Sequence, residues 1–251
     1  MNQKVKILGV IPARYASTRF PAKALADLGG KSLIQRVYEQ SVKAKCLTEV
    51  IVATDNQEIL NHVQAFGGNA CMTREDHASG TDRCFEALTL SGSTYDYVIN
   101  IQGDEPFIQP EQIDLLGAQL NGETEIATLI KVIDEPDQLF DPSEAKVTIA
   151  TDKSALYFSR SVIPYRVNVK KEESLTNFTY YKHIGMYGYR SDILQKLVTL
   201  EVSSLEKAES LEQLRWMENG FRITTVETDQ ETVGIDTPED LKRALTYLNA
   251  K

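Results

Sequence analysis

The stretch "VKILGVIPARYASTR" (residues 5–19) joins two unlike halves, and the junction decides the fold. Residues 5–11 form a near-continuous apolar run, the pattern of a strand buried on both faces rather than one. Immediately after it come Arg14 and Arg19, with Lys23 close behind, and no acidic side chain lies between residues 11 and 23 of a chain whose net charge is −9. In open α/β sheets ligands bind beyond the carboxyl ends of the strands, so a cationic loop at a strand end points to an anionic ligand. The segment 11–23 contains no glycine, which excludes the usual glycine-rich phosphate loop. Ala13 and Ala16 are small enough to let backbone N–H groups approach an anion. Arginine forks match phosphate oxygens in pairs, and lysine adds a mobile point charge. The competing reading, a solvated loop carrying charge for solubility, leaves the strand-end position unexplained.

Working outward, apolar runs recur at 49–55 ("EVIVATD"), 69–73 ("NACMT") and 95–102 ("YDYVINIQ"). Helical periodicity lies between and after them, at 31–44, 56–66, 80–88 and 109–120. This alternation predicts a mostly parallel sheet flanked by helices and built with right-handed crossovers, an α/β fold. Polar segments follow the predicted strands directly: "TDN", "TREDHASGTDR" and "GDEP". The second half is mixed, with strand patterns at 125–133, 146–152, 154–160, 182–190 and 222–228. Helical patterns cover 191–200, 203–219 and 237–249. Segment 166–181 has a charge run and no periodicity, and reads as a surface loop or flap without assigned chemistry. No linker separates the halves, so the expectation is one domain, with a nucleotide half over about 1–125 and an elaborated half over about 126–251.

Composition narrows the function classes. The chain has 251 residues, 42% hydrophobic and 25% charged, ordinary for a folded globular protein. A net charge of −9 argues against nucleic-acid binding, which needs a basic face to release counterions. The apolar run behind Lys4 and Lys6 ends at Pro12 and Arg14, too short for a signal peptide, and no run approaches the roughly 20 residues that span a bilayer. A cytoplasmic protein without membrane or nucleic-acid partners is expected. Cys46, Cys71 and Cys84 form no Cys-x-x-Cys pair and read as reduced, mostly buried thiols.

Three further clusters carry candidate chemistry. "QGDEP" sets Asp104 directly after a buried strand, where a carboxylate commonly holds Mg²⁺ against a substrate phosphate; a helix-entrance cluster is the plainer reading. "VGIDTPEDL" (233–241) reads well as a cap and first helical turn, yet Asp236 follows an apolar pair in a strand-end position. Only if the fold brings Asp104 and Asp236 together do they make a Mg²⁺ site. "MTREDHASGTDR" offers Arg74, His77, Ser79 and Gly80 for hydrogen bonds to a base or ribose, while Ser79 equally suits a helix cap.

Eight collinear stretches extend over nearly the whole chain: "IPARYASTRFPAK", "VATDN", "CMTREDHASGTDR", "NIQGDEP", "ALYFSRSVIPY", "HIGMYGYR", "SLEKAESLEQLRWMENG" and "VGIDTPEDL". Together they resemble the 3-deoxy-manno-octulosonate (Kdo) cytidylyltransferases. The resemblance implies a GT-A-like nucleotidyltransferase fold, a homodimer, and the reaction of CTP with the sugar acid Kdo to give CMP-Kdo and diphosphate, for lipopolysaccharide biosynthesis. It places Ala13, Arg14, Ser17, Arg19 and Lys23 on the triphosphate and Arg74, Ser79 and Gly80 on the cytidine. Asp104 and Asp236 would hold Mg²⁺ and, with Lys23, form the catalytic set. Gln102, Arg160, His183, Tyr187, Glu212 and Gln213 would line the sugar-acid pocket. Such proteins commonly have glycine before the loop lysine; here Ala22 stands there, and its methyl group predicts a negative φ. A cytidylyltransferase for another sugar acid such as sialic acid, a GT-A glycosyltransferase and a non-catalytic nucleotide-binding regulator are the competing readings. The presence of both aspartates disfavours the last, and a glycosyltransferase should show D-x-D where this chain has Gln102-Gly103-Asp104.

Overall fold

A computed structural model describes residues 5–16 and 20–249. The chain divides into two compact units, one running to Ala118 and resuming at Thr232, the other spanning Gln119–Glu231. The C-terminal segment returns to the first unit instead of completing the second.

In the first unit, β1 (Ile7–Ala13), β2 (Glu49–Thr54), β3 (Ala70–Met72) and β4 (Tyr97–Asn100) alternate with α1 (Leu33–Ser41), α2 (Gln57–Ala65), α3 (Gly80–Leu90) and α4 (Pro110–Gly117). The strands are parallel in the order β3-β2-β1-β4, with Ala13 beside Thr54 and Val10 beside Asn100. Ile7, Leu8, Val10 and Ile11 are all buried, as a central strand covered on both faces requires. Each helix entrance is chemically marked. Ser32 and Asn56 cap α1 and α2, and Ser79 with Asp82 forms a reciprocal capping box on α3.

The second unit holds β5 (Ile126–Val132), the short α5 (Pro136–Phe140), β6 (Lys146–Ile149), β7 (Ala155–Ser159) and β8 (Tyr181–Arg190). They lead to α6 (Ser191–Leu197), α7 (Ser204–Glu209), α8 (Gln213–Glu218) and β9 (Ile223–Glu227). β5 pairs antiparallel with β8 and parallel with β9, and β6 pairs antiparallel with β7 and β8. The single helix expected over 203–219 is instead two. Ser210 adopts a left-handed conformation (φ 53°) that no helix continues through, and the two pieces are tied by the Arg215 fork on Glu206 at 2.7 and 2.6 Å. Segment 166–181 is pinned by its own contacts: the Arg166 guanidinium donates to the carbonyls of Ser174 and Thr176 and lies over the Phe178 ring.

The chain closes with α9 (Pro238–Asn249), back in the first unit. Ile235 and Ala244 pack with Leu28 and Leu33, with Phe20 and Phe107 against the same cluster, and Phe107 meets Tyr247 edge-on. The Ile235 N–H donates to the Asp104 carbonyl at 2.9 Å. Apolar burial and one backbone bond thereby carry Asp236 to the end of β4.

Candidate active site

A cavity of about 410 Å³ opens at the carboxyl ends of the first unit's strands. The β1 loop contributes Pro12, Ala13, Arg14 and Ala16; the α3 entrance contributes Ser79, Gly80 and Arg83. Gln102, Gly103 and Asp104 enter from the end of β4, Lys23 and Ala24 from the turn that follows the β1 loop, and Asp236 from the returning segment. Gly103 is demanded by close approach, since a Cβ there would lie 2.7 Å from the Pro12 carbonyl oxygen. That contact presses the β4 loop against the β1 loop and so places Gln102 and Asp104 beside the cationic segment.

Lys23 joins the two aspartates. Its Nζ donates to Asp104 Oδ2 at 2.8 Å and to Asp236 Oδ1 at 3.0 Å. Burial pulls the ammonium's pKa down, but the charges and hydrogen bonds of Asp104 and Asp236 outweigh it, so the pKa stands above its ordinary value. Helix capping does not account for Asp236. The cap of α9 is made by Thr237 and Asp240, whose Oδ2 accepts from the N–H groups of Asp236 and Thr237 at 3.1 and 2.9 Å. Burial raises the Asp240 pKa, and these hydrogen bonds with the Thr237 hydroxyl and Arg243 more than reverse it, down to about 2. Behind Asp104, Glu105 is pushed up to about 8 by burial and by the Asp104 charge.

Lys23 is aimed by a strained neighbour. Ala22 has φ 56° and ψ 24°, in the left-handed region, correcting the expectation of a negative φ there. The Ala22 N–H donates to the Tyr15 carbonyl at 3.1 Å and its own carbonyl accepts from Leu25, so the turn into Lys23–Leu25 holds the conformation. A Cβ in this region costs about 1–2 kcal/mol, partly offset by the lower entropy of an unfolded alanine. Ala22→Gly is therefore expected to stabilise the protein by roughly 0.5–1 kcal/mol, a Tm rise of about 1–4 °C for a chain of this size. Thermal melts of the two proteins check this, and an unchanged or lower Tm refutes the strain.

Sequence reasoning missed Asp55 and Arg83. Asp55 Oδ2 pairs with Arg83 Nη2 at 2.9 Å, and Asp55 Oδ1 accepts the Tyr15 N–H at 3.2 Å. Arg83 is fully buried and spends another arm on the Thr73 hydroxyl. The pair thus fastens the β1 loop to α3 beneath the cavity. The available signal was "VATDN", another polar segment at a strand end, but helical spacing gave no sign that Arg83 turns inward.

The other predicted residues are distributed as follows. Ser79 spends its hydroxyl on the cap with Asp82 while still lining the cavity. Arg74 is largely exposed, 3.5 Å from Asp76, and outside the cavity lining. Ser17 and Arg19 lie outside the described residues. Gln102 lines the first unit's cavity, whereas Arg160, His183, Tyr187, Glu212 and Gln213 belong to the second unit.

There the Arg160 guanidinium donates to the carbonyls of Glu209, Pro142 and Ser210 at 2.8, 3.0 and 3.3 Å, anchoring backbone around the Ser210 break. His183 Nε2 meets the Thr128 hydroxyl at 3.1 Å, and burial lowers its pKa to about 4, so the ring is neutral near pH 7. Tyr187 stacks on Tyr189 and meets Trp216 edge-on, and burial, with the Glu212 charge, raises its phenol pKa well above the usual value. Gln213 Nε2 and Trp216 Nε1 are buried without a hydrogen-bond partner among the described residues. Trp216, the chain's one tryptophan, belongs to this cluster, edge-on to both Tyr187 and Tyr189.

Comparison with known proteins bears on the family and the fold. Residues 8–226 match the family described as Cytidylyltransferase. The 3-deoxy-manno-octulosonate cytidylyltransferase of Bacteroides thetaiotaomicron is 55% identical over 97% of this chain and 98% of its own length. That of Parabacteroides distasonis is 53% identical over 97% and 98%. A solved structure of CMP:2-keto-3-deoxy-manno-octonic acid synthetase complexed with CTP superposes with a TM-score of 0.90 at 44% identity, covering 98% of this chain and 99% of the other. The fold is thus the α/β nucleotidyltransferase fold, and the chain is an enzyme that belongs to the 3-deoxy-manno-octulosonate cytidylyltransferase family.

Proposed function

We propose that this enzyme activates Kdo by the reaction CTP + Kdo = CMP-Kdo + diphosphate. One observation carries the site assignment: Asp104 and Asp236, 132 positions apart in sequence, converge on the Lys23 ammonium inside a cavity lined by the β1 loop. The Kdo anomeric hydroxyl attacks the α-phosphorus in line, the bond from that phosphorus to the bridging oxygen breaks, and diphosphate leaves. A sugar carboxylate must here approach a polyanionic triphosphate. Arg14, the N–H groups beside Ala13 and Ala16, and the N-terminus of α3 at Ser79 and Gly80 offset that repulsion and hold the phosphates in register.

The donor set fits a hard divalent cation, because the two carboxylate oxygens already converge within 3.0 Å of one cationic nitrogen. Mg²⁺ takes one or two carboxylates and completes its shell with phosphate oxygens and water. Asp104 and Asp236 would hold it. When bound, Mg²⁺ neutralises charge developing on the phosphates and lowers the pKa of the attacking hydroxyl. The second unit's neutral His183, the Tyr187 phenol, and the Gln213 and Trp216 donors, unpaired among the described residues, suit a polyhydroxylated sugar acid. A cytoplasmic setting and a homodimer complete the proposal. The exposed Leu156, Tyr165 and Val167 of the second unit are the apolar surface such a dimer would cover.

The test is diphosphate release from CTP and Mg²⁺ with Kdo and sialic acid offered in parallel. Release with Kdo and little or none with sialic acid is expected. Release with sialic acid alone, or with neither, overturns the substrate assignment.

A further inference from the structure

Lys23 occupies the place that a divalent cation would need. Its Nζ lies at hydrogen-bond distance from one oxygen of each aspartate, and its side chain is 15% exposed. Among the described residues there is no group of three or more His, Cys, Asp or Glu side chains placed to hold a metal ion. The protein's donors to a metal are thus the same two carboxylates that the ammonium already pairs with, offsetting one of their two negative charges. Mg²⁺ binds carboxylate oxygen at about 2.0–2.1 Å, so a cation on both aspartates would lie against the ammonium, like charge to like.

The backbone at Lys23 is not free to retreat. Ala22 is locked in its left-handed turn, and the Lys23 N–H donates to the Phe20 carbonyl at 3.2 Å. The mobile part is the four-carbon stem, which can swing the ammonium away while the turn stays in place. On the reading above, an arriving triphosphate in the same cavity offers that ammonium a new anionic partner.

We infer that Lys23 is an internal counter-ion which closes the Asp104–Asp236 pair to divalent metal until nucleotide phosphate draws its ammonium away, so that metal and CTP bind as coupled ligands. This rests on the metal assignment proposed above. By linkage, whatever Lys23 costs the metal in the free enzyme is returned when the phosphates release it.

The test is a nucleotide-free Mn²⁺ titration of the full-length protein, with free Mn²⁺ read by electron paramagnetic resonance. Lys23→Met should bind Mn²⁺ about 10-fold more tightly than the unsubstituted enzyme, the scale of two partly exposed ion pairs. Lys23→Arg, which keeps the cation, should stay weak, and adding Asp104→Asn to Lys23→Met should abolish the gain. Equal or weaker binding by Lys23→Met overturns the inference. In that case a further loss on adding Asp104→Asn leaves the metal assignment standing, and no change on adding it removes that assignment as well.

Discussion

Asp104→Asn is expected to lower turnover at least ~100-fold, and Asp236→Asn likewise, with the fold unchanged. The amide keeps the volume of the carboxylate and removes its charge, so the two kinds of effect separate cleanly. In the free protein each aspartate makes one ion pair with Lys23, and their side chains are 31% and 45% exposed. Pairs so wetted contribute about 0.2–1 kcal/mol, and melting should shift by only a few degrees. In the reaction the same carboxylates would anchor the positive charge that offsets a triphosphate meeting a sugar acid, and among the described residues nothing else in the cavity lining carries negative charge. Steady-state diphosphate release and thermal melts on the same preparations check both halves. Unchanged turnover in both variants would falsify the catalytic assignment of the pair.

Asp55→Ala is expected to destabilise the first unit by about 3–5 kcal/mol, the cost of leaving a buried charge without its partner. Arg83 is completely buried, and its Nη2 lies 2.9 Å from Asp55 Oδ2. Truncation also removes the acceptor of the Tyr15 N–H, so the β1 loop loses an anchor close to Arg14. Melting should fall by on the order of 10 °C, and the KM for CTP should rise in whatever protein remains folded. The double variant Asp55→Ala with Arg83→Met should recover much of the stability, because an apolar replacement of a buried pair is often near neutral, without recovering the KM. A single variant that melts within a degree or two of the parent would show that the pair contributes no net stability.

These two effects differ in how far they were legible beforehand. Asp104 stood out because it follows an apolar stretch at a strand end, and Asp236 because it follows an apolar pair; the structure shows a strand leading to the first but, among the described residues, none leading to the second, since β9 ends at Glu227. Local spacing could mark them but could not bring them together, since their meeting depends on Ile235 and Ala244 packing onto Leu28 and Leu33. Asp55 was visible only as part of a polar strand-end segment. Arg83 was hidden, because a charged residue one turn into an amphipathic helix normally faces water, and only the Asp55 and Thr73 acceptors make its burial tolerable.

Ala22 shows the same division on a smaller scale. A non-glycine residue favours negative φ, and local propensity argued for that; the bond from its N–H to Tyr15 and the turn through Leu25 override a cost of about 1–2 kcal/mol. Ser210 breaks a helix whose apolar spacing runs on without interruption, and the Arg215–Glu206 pair ties the two pieces together across the break.

By itself the sequence determined the alternation of strands and helices in the first unit, the helix caps, and the position of the polar loops at strand ends. Those features follow from periodicity and from side chains within three or four positions of one another, such as Ser79 with Asp82. The tertiary structure alone decided the return of the C-terminal segment, the burial of Arg83, and the meeting of Lys23 with Asp104 and Asp236 across 81 and 213 positions. Such contacts rest on the packing of surfaces distant along the chain, and local spacing carries no information about which of those surfaces will meet.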